Sequence, residues 1–567
     1  MESLVLKPLP LFVIIVLIYC LAIPVDIMEI DSAQYATIAQ EMILRNDYLH
    51  VYDRGTEYLD KPPFIFWITA AFYHLFGMGT LAFKLPSILF SCLGIFATYK
   101  LTRIYYSRET AVIAAVILAT TQGYFHFNND VRTDTYLTNS IITAVWLICE
   151  FLKNNKWLYL LSGFVMIGIA MLSKGPLGVI IPAIAIGGDL LIHKSWKSIL
   201  KWEWLVGVLV IFIVLLPMLI GLYEQFDLHP EKIVNEKTGV SGLRFFFWEQ
   251  SFGRITGENV WKNDTGPFFF VPNIAWSFMP WSLPLFWAIF QELFYLIKRP
   301  DYFKNKVEWI SLLGLVIPFI ALSQSHYKLP HYIYVVFPFA AIFTANFLIK
   351  IQKSDFTNKL RIINLIQSVV LALVWVLAGL IFIWFFPLEN LPLIIVGIFG
   401  LLSFTYLVFK GRKNQLKYFF SVSLVTVLSA NILIACQFYP SILKYQAGGQ
   451  IAKELIDKKI SPQNVYIYRL SARSIDVVMQ TVVHDVSLTN LMSTIEKNGE
   501  LYVVTDTQGM RDFKAQGYET ITISEKPNHA VTLLTLNFLI PKSRFNSMDN
   551  YYLFKIYKKK SRLFYHQ

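Results

Sequence analysis

Two polar motifs with carboxylates follow the first hydrophobic segment of the chain. Asp31 opens a polar stretch at 31–42, and further along comes the motif Tyr58-Leu59-Asp60-Lys61-Pro62-Pro63. A carboxylate held at the membrane edge can take a proton from an acceptor hydroxyl as a general base. A lysine beside it can stabilise the charge on a phosphate group. These residue types predict transfer of a sugar from a lipid-linked phosphate donor.

Both motifs also have a purely structural interpretation. Asp31 followed by Gln34 is similar to a capping box, in which side chains bond to N–H groups at a helix start. Pro62 and Pro63 bias Lys61 away from helix, which suits a phosphate partner. The same lysine could instead extend its ammonium group towards lipid head groups. Asp60 could pair with Lys61 or orient an acceptor.

Further charged residues occur at the ends of hydrophobic segments. Arg132 and Asp134 lie in one short turn, and Lys174 precedes Gly175-Pro176 between two apolar helices. A charge at such a position is costly unless it meets water or an anion. We therefore expect the Arg132/Asp134 turn and Lys174 to face the same site as Asp31, although a solvated turn would carry the same residues.

Two later segments add cations beside aromatic side chains. Arg254 follows the aromatic run at 245–248, and the motif Lys328-Leu329-Pro330-His331-Tyr332 comes after a later span. A guanidinium can contact a phosphate through two parallel hydrogen bonds. Anchoring in the membrane interface is the alternative for both segments.

Composition places the chain among membrane proteins. Of 567 residues 55% are hydrophobic and only 16% are charged, too few charges to cover a soluble protein of this length. The formal net charge of +12 comes from basic residues clustered in every second loop, as the positive-inside rule expects of cytoplasmic loops. Nucleic-acid binding is therefore not expected. The four cysteines all lie in apolar segments and show no metal-ligand spacing.

Hydropathy predicts a polytopic α-helical protein with about thirteen spans of roughly 20 residues each. We expect a transmembrane catalytic domain at 1–437, with long extracytoplasmic loops at 26–79 and 224–268. After residue 437 charges return and strand patterns alternate with helical ones. This alternation predicts an extracytoplasmic α/β domain at 438–567.

The motifs resemble those of the ArnT-like membrane glycosyltransferases and the dolichyl-phosphate-mannose protein mannosyltransferases, both of the GT-C superfamily. The resemblance runs through 31–42, 58–67, the Arg132/Asp134 turn, 173–176 and 328–332. It implies an inverting hexosyl- or pentosyltransferase that uses a polyprenyl-phosphate sugar donor. The chain departs from the family at Ser32 and Asp60, where glutamate is usual, and it lacks the His-His pair of the aminoarabinose enzymes.

The resemblance also implies roles for single residues. Asp31 and Asp134 are the expected catalytic carboxylates, and Lys61, Arg254 and Lys328 are expected to bind the donor phosphate. Lipid A, a glycan or a protein is the expected acceptor, on the periplasmic face of a bacterial inner membrane. No cofactor is certain from the sequence, and a divalent metal is possible but unsupported. A lipid-linked sugar transporter is the alternative function. The expected substrate-binding residues are Tyr35, Tyr58, Asp60, Arg132, Lys174 and Tyr332.

Overall fold

The computed structural model describes residues 8–234, 236–250, 253, 263, 265–298, 306–353, 357–410, 414–471, 473–485, 487–498, 500–516 and 518–557. Within these ranges, eight helices are long and apolar enough to cross a membrane. They are Thr80–Tyr105, Thr133–Asn154, Trp157–Lys174, Trp196–Asp227, Pro330–Gln352, Lys359–Phe385, Leu391–Phe409 and Gln415–Leu443. This confirms the predicted polytopic helical class, while the total of thirteen spans stays a prediction.

Shorter helices complete the bundle. Apolar helices of 10–17 residues are Leu9–Cys20, Phe64–Phe76, Leu177–Ile192 and Ile310–Ser323. The other helices before the C-terminal domain are Asp31–Arg45, Arg108–Ala119, Gln122–Phe127, Gly242–Arg244, Phe270–Ser277 and Ser282–Lys298. The apolar segment 269–297 contains two helices, because the chain turns at Phe278–Trp281 between them.

Burial separates central helices from peripheral ones. The most apolar part of Pro330–Gln352 is 94% buried, so this helix lies at the centre of the bundle. The corresponding parts of Lys359–Phe385 and Leu391–Phe409 are only 17% buried, as expected of helices whose apolar side chains face lipid. Thr133–Asn154 packs between Thr80–Tyr105 and Trp157–Lys174. The turn that carries Arg132 is therefore fixed by the packing of three helices.

The first long loop is itself structured. It contains the helices Asp31–Arg45 and Phe64–Phe76, and a small antiparallel hairpin of β1 (Tyr52–Asp53) and β2 (Thr56–Glu57). Asp31 is the first helical residue, the N-cap is Ile30, and the cap makes no side-chain hydrogen bond. The capping-box interpretation of Asp31 is therefore wrong. The predicted bias of Lys61 away from helix is confirmed, because the Phe64–Phe76 helix begins only three residues after Lys61.

The second long loop contains another small antiparallel hairpin. Its strands are β3 (Ile233–Val234) and β4 (Lys237–Thr238). The hairpin follows a π-helical turn at Tyr223–Asp227, which ends the Trp196–Asp227 helix. This turn brings Gln225 against the first loop.

The C-terminal region forms a mixed five-stranded sheet in the order β6-β5-β7-β9-β8. β5 (Val465–Tyr468) runs parallel to β6 (His484–Asp485) and β7 (Glu500–Asp506), while β9 (Asp549–Tyr557) runs antiparallel to β7 and β8 (Glu519–Asn528). The sheet agrees with the expected α/β character, and the boundary at 437/438 stays a prediction. Helices of this region are Tyr439–Leu443, Ala447–Asp457, Arg473–Met479, Leu488–Asn498, Thr507–Ala515, Leu536–Leu539 and Pro541–Arg544.

Candidate active site

Arg132 bridges two carboxylates at the centre of the site. Its Nη1 donates to Asp31 Oδ2, and its Nε donates to Asp130 Oδ2 at 2.7 Å. The Ser32 hydroxyl donates to Asp130 Oδ1 at 2.7 Å, which joins the start of the Asp31–Arg45 helix to the turn. The Asp31 side chain remains 35% exposed. Asp31 is therefore oriented by Arg132 and still open to a substrate.

The electrostatics of this bridge favour the charged forms of Asp130 and Arg132. Burial alone would raise the pKa of Asp130, but Arg132, His126 and Ser32 outweigh it and lower that pKa. Burial likewise acts to lower the pKa of Arg132, and Asp130 and Asp31 reverse this and raise it. The hydrogen bonds between the guanidinium and the two carboxylates are charge-assisted and therefore strong. They compensate for the contacts with water that the guanidinium loses on burial.

A second ion pair lies beside the first. Lys174 Nζ donates to Asp134 Oδ1 at 2.5 Å, and the same ammonium lies 3.7 Å from the centre of the Tyr332 ring. His331 Nε2 is 3.6 Å from Asp134 Oδ2. An ammonium over an aromatic face is further stabilised by a cation–π interaction. The structure thus brings Lys174, Asp134 and Tyr332 together, as the sequence predicts.

Two buried tyrosines line the same region. Tyr35 and Tyr58 each pack on Phe66 with ring centroids 5.9 Å apart. Burial raises the pKa of Tyr35 well above its ordinary range, and the Asp31 charge raises it further. Burial raises the pKa of Tyr58 in the same way. Both phenols therefore stay protonated.

Lys61 lies at a narrow apolar pocket between the two long loops. The cavity encloses about 20 Å³, so a larger group can enter only if side chains move. Lys61 is within electrostatic reach of His331 and so borders the ion-pair cluster. The backbone oxygen of Asp60 accepts a hydrogen bond from Gln250 at 2.9 Å. Apolar residues of the lining include Leu49, Pro63, Met218, Leu222, Phe245 and Phe246.

Gln225 ties the two loops together at this pocket. Its side-chain oxygen accepts from Val51 N at 3.0 Å, and its amide nitrogen donates to Val51 O at 2.9 Å. The same nitrogen contacts Glu57, whose carboxylate also pairs with Lys232 at 2.7 Å. The amide thus makes the paired hydrogen bonds that a neighbouring strand would make, and it holds the two loops together beside the pocket.

Of the other two predicted phosphate ligands, Lys328 binds backbone oxygens and Arg254 is outside the described residues. Lys328 Nζ donates to the backbone oxygens of Thr265 at 2.7 Å and Gly266 at 3.2 Å. Its assignment to the donor phosphate stays a prediction. Arg254 is outside the described residues, so its assignment also stays a prediction.

Four residues of this region were not predicted as site residues. Asp130 and Ser32 complete the Arg132 bridge, His331 lies next to Asp134, and Gln225 joins the loops. The charge of Asp130 in the same turn as Arg132 was the available signal. Ser32 and Gln225 carry no such signal, because a polar residue in a long loop is ordinarily solvated.

The described part of the chain contains no group of three His, Cys, Asp or Glu side chains arranged to hold a metal ion. His126 contacts Asp130 at 3.6 Å and the Tyr439 hydroxyl at 2.9 Å, and makes no such group.

The C-terminal domain contacts the first loop through ion pairs. Arg54 donates to the buried carboxylate of Asp476 and to Asp485 at 3.0 Å. Arg473 donates to Asp53 Oδ2 at 2.6 Å, and Asp53 also accepts from Gln34, one helical turn after Asp31. The helix that carries Asp31 is thus fixed by contacts from the C-terminal domain.

Comparison with known proteins agrees with the predicted class. Residues 60–220 match the family model described as dolichyl-phosphate-mannose-protein mannosyltransferase. The fold is similar to the crystal structure of ArnT from Cupriavidus metallidurans in the apo state, with a TM-score of 0.73, 15% identity, and coverage of 97% of this chain and 98% of that chain. ArnT from the same organism bound to undecaprenyl phosphate gives a TM-score of 0.73 at 16% identity, covering 96% of this chain and 97% of that one.

Two sequence relatives refine the comparison. An uncharacterized protein of Aquifex aeolicus is 27% identical over 444 residues, 76% of this chain and 78% of that protein. The undecaprenyl phosphate-alpha-4-amino-4-deoxy-L-arabinose arabinosyl transferase of Pseudomonas aeruginosa is 26% identical over 311 residues, 53% of this chain and 52% of its own length. The match thus spans about half of that transferase. The resemblance predicted from the motifs is confirmed: the chain has the fold of the solved ArnT structures, with helices long and apolar enough to cross a membrane.

Proposed function

We propose that the protein is a membrane glycosyltransferase that moves a sugar from a polyprenyl-phosphate donor to an acceptor on the periplasmic face of the inner membrane. The observation that carries the proposal is the Arg132 bridge, which presents a partly exposed Asp31 beside the Asp134–Lys174 pair. Two further observations support it. The fold matches a protein solved with undecaprenyl phosphate, and relatives are described as undecaprenyl-phosphate-dependent transferases. The alternative of a lipid-linked sugar transporter receives no support from these matches.

The chemistry is a displacement at the anomeric carbon. The acceptor oxygen forms the new bond to that carbon, and the bond from the carbon to the phosphate oxygen breaks. The hydroxyl proton passes to Asp31, and the electron pair leaves with the polyprenyl phosphate. Direct attack by the acceptor inverts the configuration of the sugar. General base assistance of this kind contributes about 10²–10⁴-fold in rate.

The leaving phosphate needs a positive partner, and Lys61 is the proposed one. Lys61 borders a narrow pocket lined by Phe245, Phe246 and Leu222, and side chains there must move before an isoprenoid tail can enter beside the phosphate. Arg132 and Lys174 pair with carboxylates and are proposed to position Asp31 and Asp134. Tyr35 and Tyr58 are proposed to hydrogen-bond the sugar, which is a hexose or a pentose. Lipid A, a glycan or a protein is the proposed acceptor.

Mass spectrometry of cells lacking the protein tests the activity. We expect a polyprenyl-phosphate monosaccharide to accumulate and one glycoconjugate to disappear, which identifies donor and acceptor together. Wild-type protein should reverse both changes and Asp31→Asn should not. Asp457→Asn makes the same chemical change at an exposed site in the C-terminal domain and serves as the matched control. Unchanged lipid-linked sugars, or full complementation by Asp31→Asn, would contradict the proposal.

Binding of undecaprenyl phosphate to the purified protein tests the donor site separately. Lys61→Ala should weaken binding, because the cation that neutralises the phosphate is removed. Lys417→Ala removes an exposed lysine at the start of the Gln415–Leu433 helix and should leave binding unchanged. Equal affinity of the two variants would remove Lys61 from the donor site.

A further inference from the structure

The segment 529–548 of the C-terminal domain is fixed to the end of a membrane-spanning helix. Arg544 Nη2 donates at 2.7 Å to the backbone oxygen of Phe385, the last residue of the Lys359–Phe385 span. Its Nε donates to Phe538 O at 2.8 Å, and its guanidinium lies 4.4 Å from the centre of the Phe386 ring. Arg544 is buried, so these contacts hold the segment at the level of the helix end.

A second span fixes the other end of the segment. The His529 N–H donates to Tyr445 O at 2.8 Å, two residues past the Gln415–Leu443 span. The His529 ring stacks on Phe538 with centroids 3.9 Å apart and an interplanar angle of 5°. The segment is therefore attached at both ends to the membrane-spanning bundle.

The same segment exposes large apolar side chains although its inner side is already packed. Phe538 is fully buried, whereas Leu533, Leu536 and Phe545 are 66%, 72% and 71% exposed. Apolar residues grouped on a surface usually mark an interaction site. These side chains lie within a few residues of groups that contact Phe385 or Tyr445, and so they lie near the ends of the spans.

Lipid is the occupant that this location favours. Ile383 and Trp384, just before Phe385, are 79% and 53% exposed on a helix whose apolar residues face lipid. The exposed apolar residues of the segment extend that lipid-facing surface beyond the helix end. Lys542 is exposed in the same segment and can reach an anionic head group. Apolar and basic residues together are typical of segments that lie in the membrane interface.

We propose that the 529–548 segment is an interfacial membrane anchor. Leu533, Leu536 and Phe545 enter the leaflet next to Phe385, while Lys542 contacts anionic lipid head groups. The anchor restrains the C-terminal domain, which in turn holds the first loop through Arg54 and Arg473. This inference is independent of the proposed sugar transfer.

Fluorescence quenching in lipid nanodiscs tests the anchor. The full-length protein, with its four native cysteines replaced, carries Leu536→Cys labelled with an environment-sensitive dye in phosphatidylethanolamine and phosphatidylglycerol. Ile521→Cys is the control, because Ile521 is 55% exposed on strand β8 of the same domain. Ile521 precedes Asn528 by seven residues, which places it about 23 Å further along the strand at roughly 3.3 Å per residue.

We expect nitroxide lipids to quench the Leu536 label strongly and the Ile521 label weakly, and aqueous iodide to give the opposite order. Phe545→Cys is a second site with the same expectation, in case Leu536→Cys does not fold. Quenching of both segment labels by iodide alone would overturn the anchor. A second result would also overturn the anchor: protection of the labels from both quenchers only in discs that hold two copies. The exposed apolar residues of the segment would then lie between two copies of this chain.

Discussion

Replacing Arg132 by lysine tests whether the site depends on the bridge or only on its charge. Arg132 uses two different nitrogens, Nη1 for Asp31 and Nε for Asp130. Lysine has a single nitrogen and cannot hold both carboxylates in this geometry. We expect it to stay with Asp130, which is buried and also held by Ser32, and to release Asp31.

The magnitude follows from the loss of one contact. A hydrogen bond to a charged group contributes about 1.5–3 kcal/mol. At about 1.36 kcal/mol for each tenfold change in rate, its loss lowers turnover roughly 10- to 160-fold. Stability should change little, since the positive charge beside Asp130 remains. Arg132→Ala would differ, because removing one partner of a buried ion pair costs about 3–5 kcal/mol.

The assay is sugar transfer in proteoliposomes with the donor identified by mass spectrometry, together with the thermal unfolding midpoint. Arg103→Lys is the matched control, because Arg103 is exposed near the end of the Thr80–Tyr105 helix. Among the described residues, its side chain donates only to Tyr106 O, at 3.3 Å. Equal turnover of Arg132→Lys and Arg103→Lys would refute the positioning role of the bridge. A matching loss of stability and activity in Arg132→Lys would make the role structural.

Three further predictions concern single carboxylates and the domain contact. Asp31→Asn should lower turnover about 10²–10⁴-fold without changing the unfolding midpoint, and retained turnover would argue against a general base. The pKa of Asp130 is lowered below its ordinary value of 3.8, so its charge should stabilise the fold above pH 3.8. This stabilisation should be lost as the pH falls through the lowered pKa. Asp130→Asn should therefore flatten the acid side of a plot of stability against pH. Arg54→Ala leaves Asp476 buried without this partner and should cost about 3–5 kcal/mol locally, seen as faster hydrogen exchange in the Arg473–Met479 helix; unchanged exchange would show that this ion pair does not hold the domain.

Some site residues could be recognised from the sequence because a charged side chain is energetically unfavourable in their apolar surroundings. Lys174 between apolar helices and Lys61 beside two prolines stand out against membrane-spanning segments, where charges are rare. The alternation of apolar spans and basic loops predicts which loops share a membrane face. These local signals account for the grouping of Asp31, Asp134 and Lys174, and for the helical fold class.

Only the tertiary structure decided which groups pair. Arg132 reaches a carboxylate 101 residues away, and Lys174 reaches one 40 residues away, because the packing of the intervening helices brings their ends together. No sequence pattern distinguishes Lys174, which pairs with a carboxylate, from Lys328. The ammonium group of Lys328 binds two backbone oxygens instead. The sequence determines the residue types and predicts the membrane face of each loop. Helix packing determines the distances between side chains, and hydrogen-bonded ion pairs form only where those distances allow.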